Sequence, residues 1–224
     1  ARVRCYRQRI ENRTNLMKLD MTLARQRANY DLLLKALTGI YLPRVMPGQE
    51  VTPVALKQLR DEGRRLVGNF GKQLKADIQA FKQELGYETS DYDAEYEPQL
   101  TRLLHDNVAT IVKALRASKA DLAAMLGGGH GAVGEIIQKR ITQPEFKATD
   151  TADRSWEAPK LFNFLLRNYL YYMEISATIQ DIRNSGSDLA RLKYPNPEHK
   201  NAGMVFSIDG KTPGHKTLAE IKAS

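Results

Sequence analysis

Residues 159–183, PKLFNFLLRNYLYYMEISATIQDIR, are the most apolar run in the chain and constrain its fold more than any other stretch. Leu161, Phe162, Phe164, Leu165, Leu166, Tyr169, Leu170, Tyr171, Tyr172, Met173, Ile175, Ile179 and Ile182 cover most of a helix circumference. Asn163, Arg167, Glu174, Thr178 and Asp181 leave a single polar seam. Pro159 suits the first helical turn, where no backbone donor is needed, and Gly186 suits the left-handed position just past the end. A helix apolar almost all round has to be enclosed by others. The expected fold is therefore mainly α: a bundle of long amphipathic helices around a buried helix 159–183.

The upstream chain supplies such helices. Leu16, Leu19, Leu23, Tyr30, Leu33 and Leu37 step by three and four, with Gln26 in the gap, which is the spacing of a helix lying along another helix. This predicts a helix from about Ile10 to Thr38, stopping at Gly39, and then a loop over 41–49. Thr52-Pro53 reads as an N-cap followed by proline. Leu56, Leu59, Leu66, Phe70, Leu74, Ile78, Phe81 and Leu85 continue the pattern to Gly86. Gly63, Gly68 and Gly71 inside it imply a bend or a close neighbour, because each disfavours the helix by about 1 kcal/mol relative to alanine. Pro98 is read as opening a third helix with Leu100, Leu103, Leu104, Val108, Ile111, Val112 and Leu115 on one face. Ser118 and Asp121 resemble a capping box for a short separate helix, and a further helix is expected over Ala132–Arg140. Residues 143–158 read as irregular with Trp156 as an anchor, and 187–193 as a short helical piece. Met204–Ile208 is a strand, and Asp209-Gly210 favours a small C-terminal β-hairpin. The predicted organisation is a helical bundle domain over 1–193 and a hairpin appendix over 194–224.

Charge is distributed unevenly. Lysine and arginine outnumber acids by 34 to 26, a net +8. Arg2, Arg4, Arg7, Arg9, Arg13, Lys18, Arg25 and Arg27 face only Glu11 and Asp20 in the first 27 residues, where +6 of that excess sits. Residues 1–15 are accordingly an Arg-rich arm or helix start. Residues 84–97, ELGYETSDYDAEYE, carry six acids and no base. This segment is expected to be an acidic, tyrosine-rich connector. Glu88, Asp91, Asp93, Glu95 and Glu97, with Tyr92 and Tyr96, form a candidate docking segment for arginines, which bind carboxylates bidentately and stack on tyrosine. Opposite patches on one chain invite assembly of identical copies. The arginines alternatively suit phosphate backbones.

Tests for chemistry return little. Gly129, Gly131 and Gly134 match a dinucleotide fingerprint letter for letter, but a helix precedes them where a strand is required. They remain a candidate anion loop at a helix start. Gly210-Lys211-Thr212 lacks the upstream glycine of a phosphate loop. The four histidines are scattered, and the single Cys5 excludes an internal disulfide framework. No catalytic set, metal site or cofactor is expected, and no segment is apolar enough to span a bilayer. No signal-peptide core follows the N-terminus, so a cytoplasmic or virion location is expected.

Three functions follow, in order. The first is a non-enzymatic structural subunit of a larger complex, virion-like or secretion-type, with itself or other proteins as partners. The second is a sequence-nonspecific nucleic-acid binder using the Arg-rich N-terminal helix. The third is a phosphate- or nucleotide-binding enzyme using the 127–134 glycine loop.

Overall fold

The computed structural model describes residues 2–45, 51–87, 91–126, 144–191, 198 and 203–222, with side chains starting at Met17 in the first helix and ending at Ser118 in the third. Four long helices make the body: α1 (Arg2–Val45), α2 (Pro53–Leu85), α3 (Asp91–Leu126) and α4 (Ala158–Asn184). A hairpin of β1 (Lys147–Thr149) and β2 (Ser155–Glu157) lies between α3 and α4. After α4 come β3 (Leu189–Arg191), β4 (Val205–Ser207) and the short α5 (Leu218–Lys222).

Pairwise contacts fix the topology. Lys18 pairs with Glu84, Arg25 with Asp77 and Arg44 with Glu62, so α2 runs antiparallel to α1. Tyr30 meets Asn107 and Tyr41 meets Ser118, so α3 runs parallel to α1. Tyr169 reaches Asp93 and Glu97 near the start of α3, while Phe162, earlier in α4, stacks on the Tyr30 that Asn107 bonds, so α4 is antiparallel to α3. The result is an up-down-up-down bundle. All four helices meet at Tyr30, 1% exposed. Its ring stacks on Phe162 at 4.1 Å and tilts against Phe70, while Asn107 Nδ2 donates to its hydroxyl at 2.7 Å. Burial holds that hydroxyl far above the ordinary tyrosine range.

Helix α4 buries one wide stripe: Ala158, Leu161, Phe162, Leu165, Leu166, Tyr169, Leu170, Met173 and Ala177. Each large member contributes about 1.5–3 kcal/mol relative to exposure. Phe164 and Tyr171 are exposed on the opposite side, and in the polar seam Arg167 and Asp181 face solvent.

The α2 boundaries match the capping signals. The Thr52 side chain accepts from Ala55 N, and Gly86 takes φ 63° as the C-cap. At Gly63 the neighbour comes close: a β-carbon there would lie 3.1 Å from Val108 Cγ1, whereas Gly68 meets nothing.

Several boundaries differ from the sequence expectations. Helix α1 continues through Gly39 and Pro43 to Val45, because Tyr41 and Val45 are core residues, 0% and 4% exposed, and their burial outweighs the cost of a glycine and a last-turn proline. Of the expected loop over 41–49, 41–45 are helical and 46–49 lie outside the described residues. The acidic segment is not a connector beyond residue 90: α3 begins at Asp91 and carries Pro98 inside it. Acids in the first turns favour a helix start by offsetting the macrodipole. Around Pro98, Gln99 Nε2 and Thr101 Oγ1 add side-chain donors to the carbonyls of Glu95 and Glu97. Helix α3 also runs on through Ser118, whose hydroxyl hydrogen-bonds Tyr41 at 3.1 Å instead of capping a new helix. The expected helix at 132–140 lies outside the described residues.

The β elements are corrections too. Residues 147–157 form a hairpin around Asp150, and Ala158 N donates to Phe146 O to fix the start of α4. Residues 189–191 are strand, not helix: β3 pairs antiparallel with β4, whereas the chain after Asp209-Gly210 supplies only a single bridge, Thr217 to Ser207. The small C-terminal sheet thus joins residues on both sides of position 194.

Candidate functional site

Three surfaces or clusters among the described residues are candidates for a functional role. The first is the acidic start of α3. Asp93 Oδ1 lies 2.9 Å from Lys82 Nζ, and Glu97 Oε1 lies 3.5 Å from it. Lys82 is 8% exposed and belongs to α2. The Tyr169 hydroxyl donates to both carboxylates, at 2.6 and 2.9 Å. Burial, then these acceptors, raise its pKa far above the ordinary value. Tyr96 stacks on Tyr169 and Tyr92 on Tyr172. Burial, with Glu95 beside it, pushes the Tyr96 hydroxyl up to about 12. The two acids therefore take up a lysine of the neighbouring helix and a tyrosine of α4. Glu95 is exposed, Asp91 is the first residue of α3, and Glu88 lies outside the described residues.

The second surface is α1. Arg2, Arg4, Arg7, Arg9 and Arg13 occupy its first turns. Further along, Lys18 pairs with Glu84 at 3.3 Å, Arg25 with Asp77 at 3.5 Å, and Arg27 faces solvent. Beside them runs an outer stripe of Met17, Met21, Ala24, Ala28 and Leu32, spaced four, three, four and four. Met17, Met21 and Leu32 are 60%, 66% and 61% exposed. This stripe lies opposite the core face of Leu19, Leu23, Tyr30 and Leu33. The spacing was present in the sequence, but the stronger inner heptad pattern hid it.

The third is a groove of about 300 Å³ between α2 and α3 on the outside of the bundle. Arg60 and Arg64 form one wall, His105, Lys113 and Arg116 the other, with Val108, Ala109 and Val112 among the lining. No carboxylate lines it. Sequence reasoning missed it, because Arg60, Arg64, His105, Lys113 and Arg116 each read as ordinary solvated residues beside an apolar helix face.

The anion-loop glycines Gly129, Gly131 and Gly134 lie outside the described residues. The Gly210-Lys211-Thr212 turn is described. Its Thr212 amide and hydroxyl donate to Asp188 Oδ2 at 2.9 and 3.0 Å, and the Asp209 amide to Asp188 Oδ1 at 2.7 Å. The Ser207 hydroxyl also donates to Asp188. That donor, against burial and together with the turn, holds the Asp188 carboxyl at about 2. An internal carboxylate thus occupies the position an anion would take. Among the described residues no group of three or more His, Cys, Asp or Glu side chains could hold a metal ion, and no helix is long and apolar enough to cross a membrane.

No family model matches the chain, nor does any curated protein or solved structure. The functional reading accordingly rests on these three features alone.

Proposed function

We propose that this chain is a non-enzymatic structural subunit of a larger assembly, joined to a second copy of itself through the outer stripe of α1. The observation that carries this is the bare apolar stripe of Met17, Met21 and Leu32 on the face of α1 turned away from the core. It extends over about 23 Å of helix at 1.5 Å per residue. A helix with apolar stripes on two faces packs on two sides, and here the bundle covers one. Alanines 24 and 28 let another helix approach closely. Asp20 on one flank and Arg25 and Arg27 nearby give the stripe both signs of charge, so the same surface on another copy complements it. The most enclosed ionisable cluster, Lys82 with Asp93, Glu97 and Tyr169, is occupied internally, which directs the reading to surfaces.

Light scattering at micromolar concentration tests this. The wild-type chain should be a dimer or larger, and Met17→Glu with Met21→Glu and Leu32→Glu should be monomeric with unchanged helical circular dichroism. A monomeric wild type, or a variant that assembles as before, overturns the reading.

A further inference from the structure

We infer that the outer groove between α2 and α3 binds the phosphate backbone of a nucleic-acid duplex. The groove presents Arg60 and Arg64 on one wall and Lys113 and Arg116 on the other, with His105 at one end. Antiparallel packing brings these rows together, and the close approach at Gly63 sets their separation. Like charges facing across a groove repel, so the arrangement favours an anion between them. Two acids close to the groove are engaged by other arginines, and exposed Asp61, beside Arg60, is not among the lining residues. Glu62 pairs with Arg44 at 2.9 Å, and Asp106 with Arg102 at 3.9 Å.

The shape selects a chain of phosphates over a single one. From His105 to Arg116 the wall runs about 16 Å along α3 at 1.5 Å per residue. That is the rise of about five nucleotides in one strand, at 3.4 Å each. Exposed Lys57, one turn before Arg60 on the same face of α2, extends the row. Arginine supplies three of the four permanent cations, and its fork binds phosphate oxygens bidentately. No phenylalanine, tyrosine or tryptophan lines the groove, so it lacks the row of large aromatic rings on which single-strand binders stack successive bases. Contacts to phosphate alone position a duplex without reading its sequence.

The experiment measures binding of a 20-base-pair DNA duplex to the full chain by fluorescence anisotropy between 50 and 200 mM salt. Removing three groove cations in Arg64→Ala with Lys113→Ala and Arg116→Ala should weaken binding more than about tenfold at 50 mM and flatten the log–log salt dependence by about 2.7, at about 0.9 per phosphate contact. A control with the same charge change, Lys35→Ala with Lys72→Ala and Lys75→Ala, removes exposed cations outside the groove and should keep most of the affinity and the slope. The inference is overturned by any of four results. The wild-type chain fails to bind at 50 mM, or both variants weaken equally. The groove variant binds as wild type, which would place the contact on other cations such as those of residues 2–13. Polyglutamate displaces the duplex at equal charge, which would make the ligand an acidic protein.

Discussion

The two ends of the α2–α3 pair treat charge in opposite ways. Near the α2 C-terminus, Lys82 is drawn into the bundle, meets Asp93 and Glu97 within 3.5 Å and lies over the Tyr169 ring. Near the other end, Arg60 and Arg64 face Lys113 and Arg116 across an open groove with no acid between them. The helices and their antiparallel relation are the same at both ends. The difference is where the counter-charge comes from. A cation matched inside the chain holds helices together, and taking its partner away strands a desolvated charge. A cation left unmatched in solvent adds little to stability.

That contrast can be broken most directly at Lys82. Lys82→Ala leaves Asp93 facing Glu97 without their shared cation and should cost about 3 kcal/mol in denaturant unfolding. A change below about 1 kcal/mol would put the two ends on the same footing. The next largest effect tests how closely the helices approach beside the groove. Gly63→Leu drives a side chain into Val108 and should destabilise by about 2 kcal/mol, measured in the same way.

The β1–β2 turn sharpens the point with an acid matched by neutral and charged donors. Burial pushes the Asp150 carboxyl up, but the backbone of Arg154, Trp156 Nε1, the Arg154 side chain and Ala152 N together hold it at about 2. A depressed carboxyl stabilises the folded form above its ordinary pKa, and that contribution disappears as pH falls from about 4 towards 2. Trp156 is the only tryptophan and bonds Asp150 at 2.9 Å, so its emission should shift red across that window. In Asp150→Asn the acid-dependent shift should vanish; a shift as large as in the wild type would show that Asp150 is not its source. The smallest effect belongs to the groove: Arg64→Ala with Arg116→Ala should change stability by less than about 0.5 kcal/mol in either direction. A larger loss would mean that these cations serve the fold.

Much of the bundle was legible because its signals are local. The limits of α2 follow from Thr52-Pro53 and Gly86, and the heptad steps from Leu19 to Leu37 place the inner face of α1. The misplaced limits share one cause. Gly39, Pro43 and Pro98 all disfavour helix locally, and at each the helix continues because packing on both sides outweighs that preference. The charged run at 84–97 looked like a solvated linker for the same reason. Its second half faces Lys82, a partner outside its own helix. β3 was missed because three residues acquire strand identity only from pairing with Val205–Ser207.

The outer stripe of α1 stands between these cases, since its spacing is in the sequence and its exposure is not. Periodicity tells that a residue faces the same way as others three or four positions along, but not whether that side meets a neighbour. By itself, then, the sequence determined that this is a bundle of long helices with residues 159–183 in its core, because apolar periodicity acts within each segment; the near-complete apolar circumference of that helix implied enclosure on almost every side, whereas Phe164 and Tyr171 are exposed. Tertiary structure alone decided which charges are satisfied. Lys82 and Asp93, or Arg64 and Lys113, become neighbours only when the antiparallel register brings separate helices together.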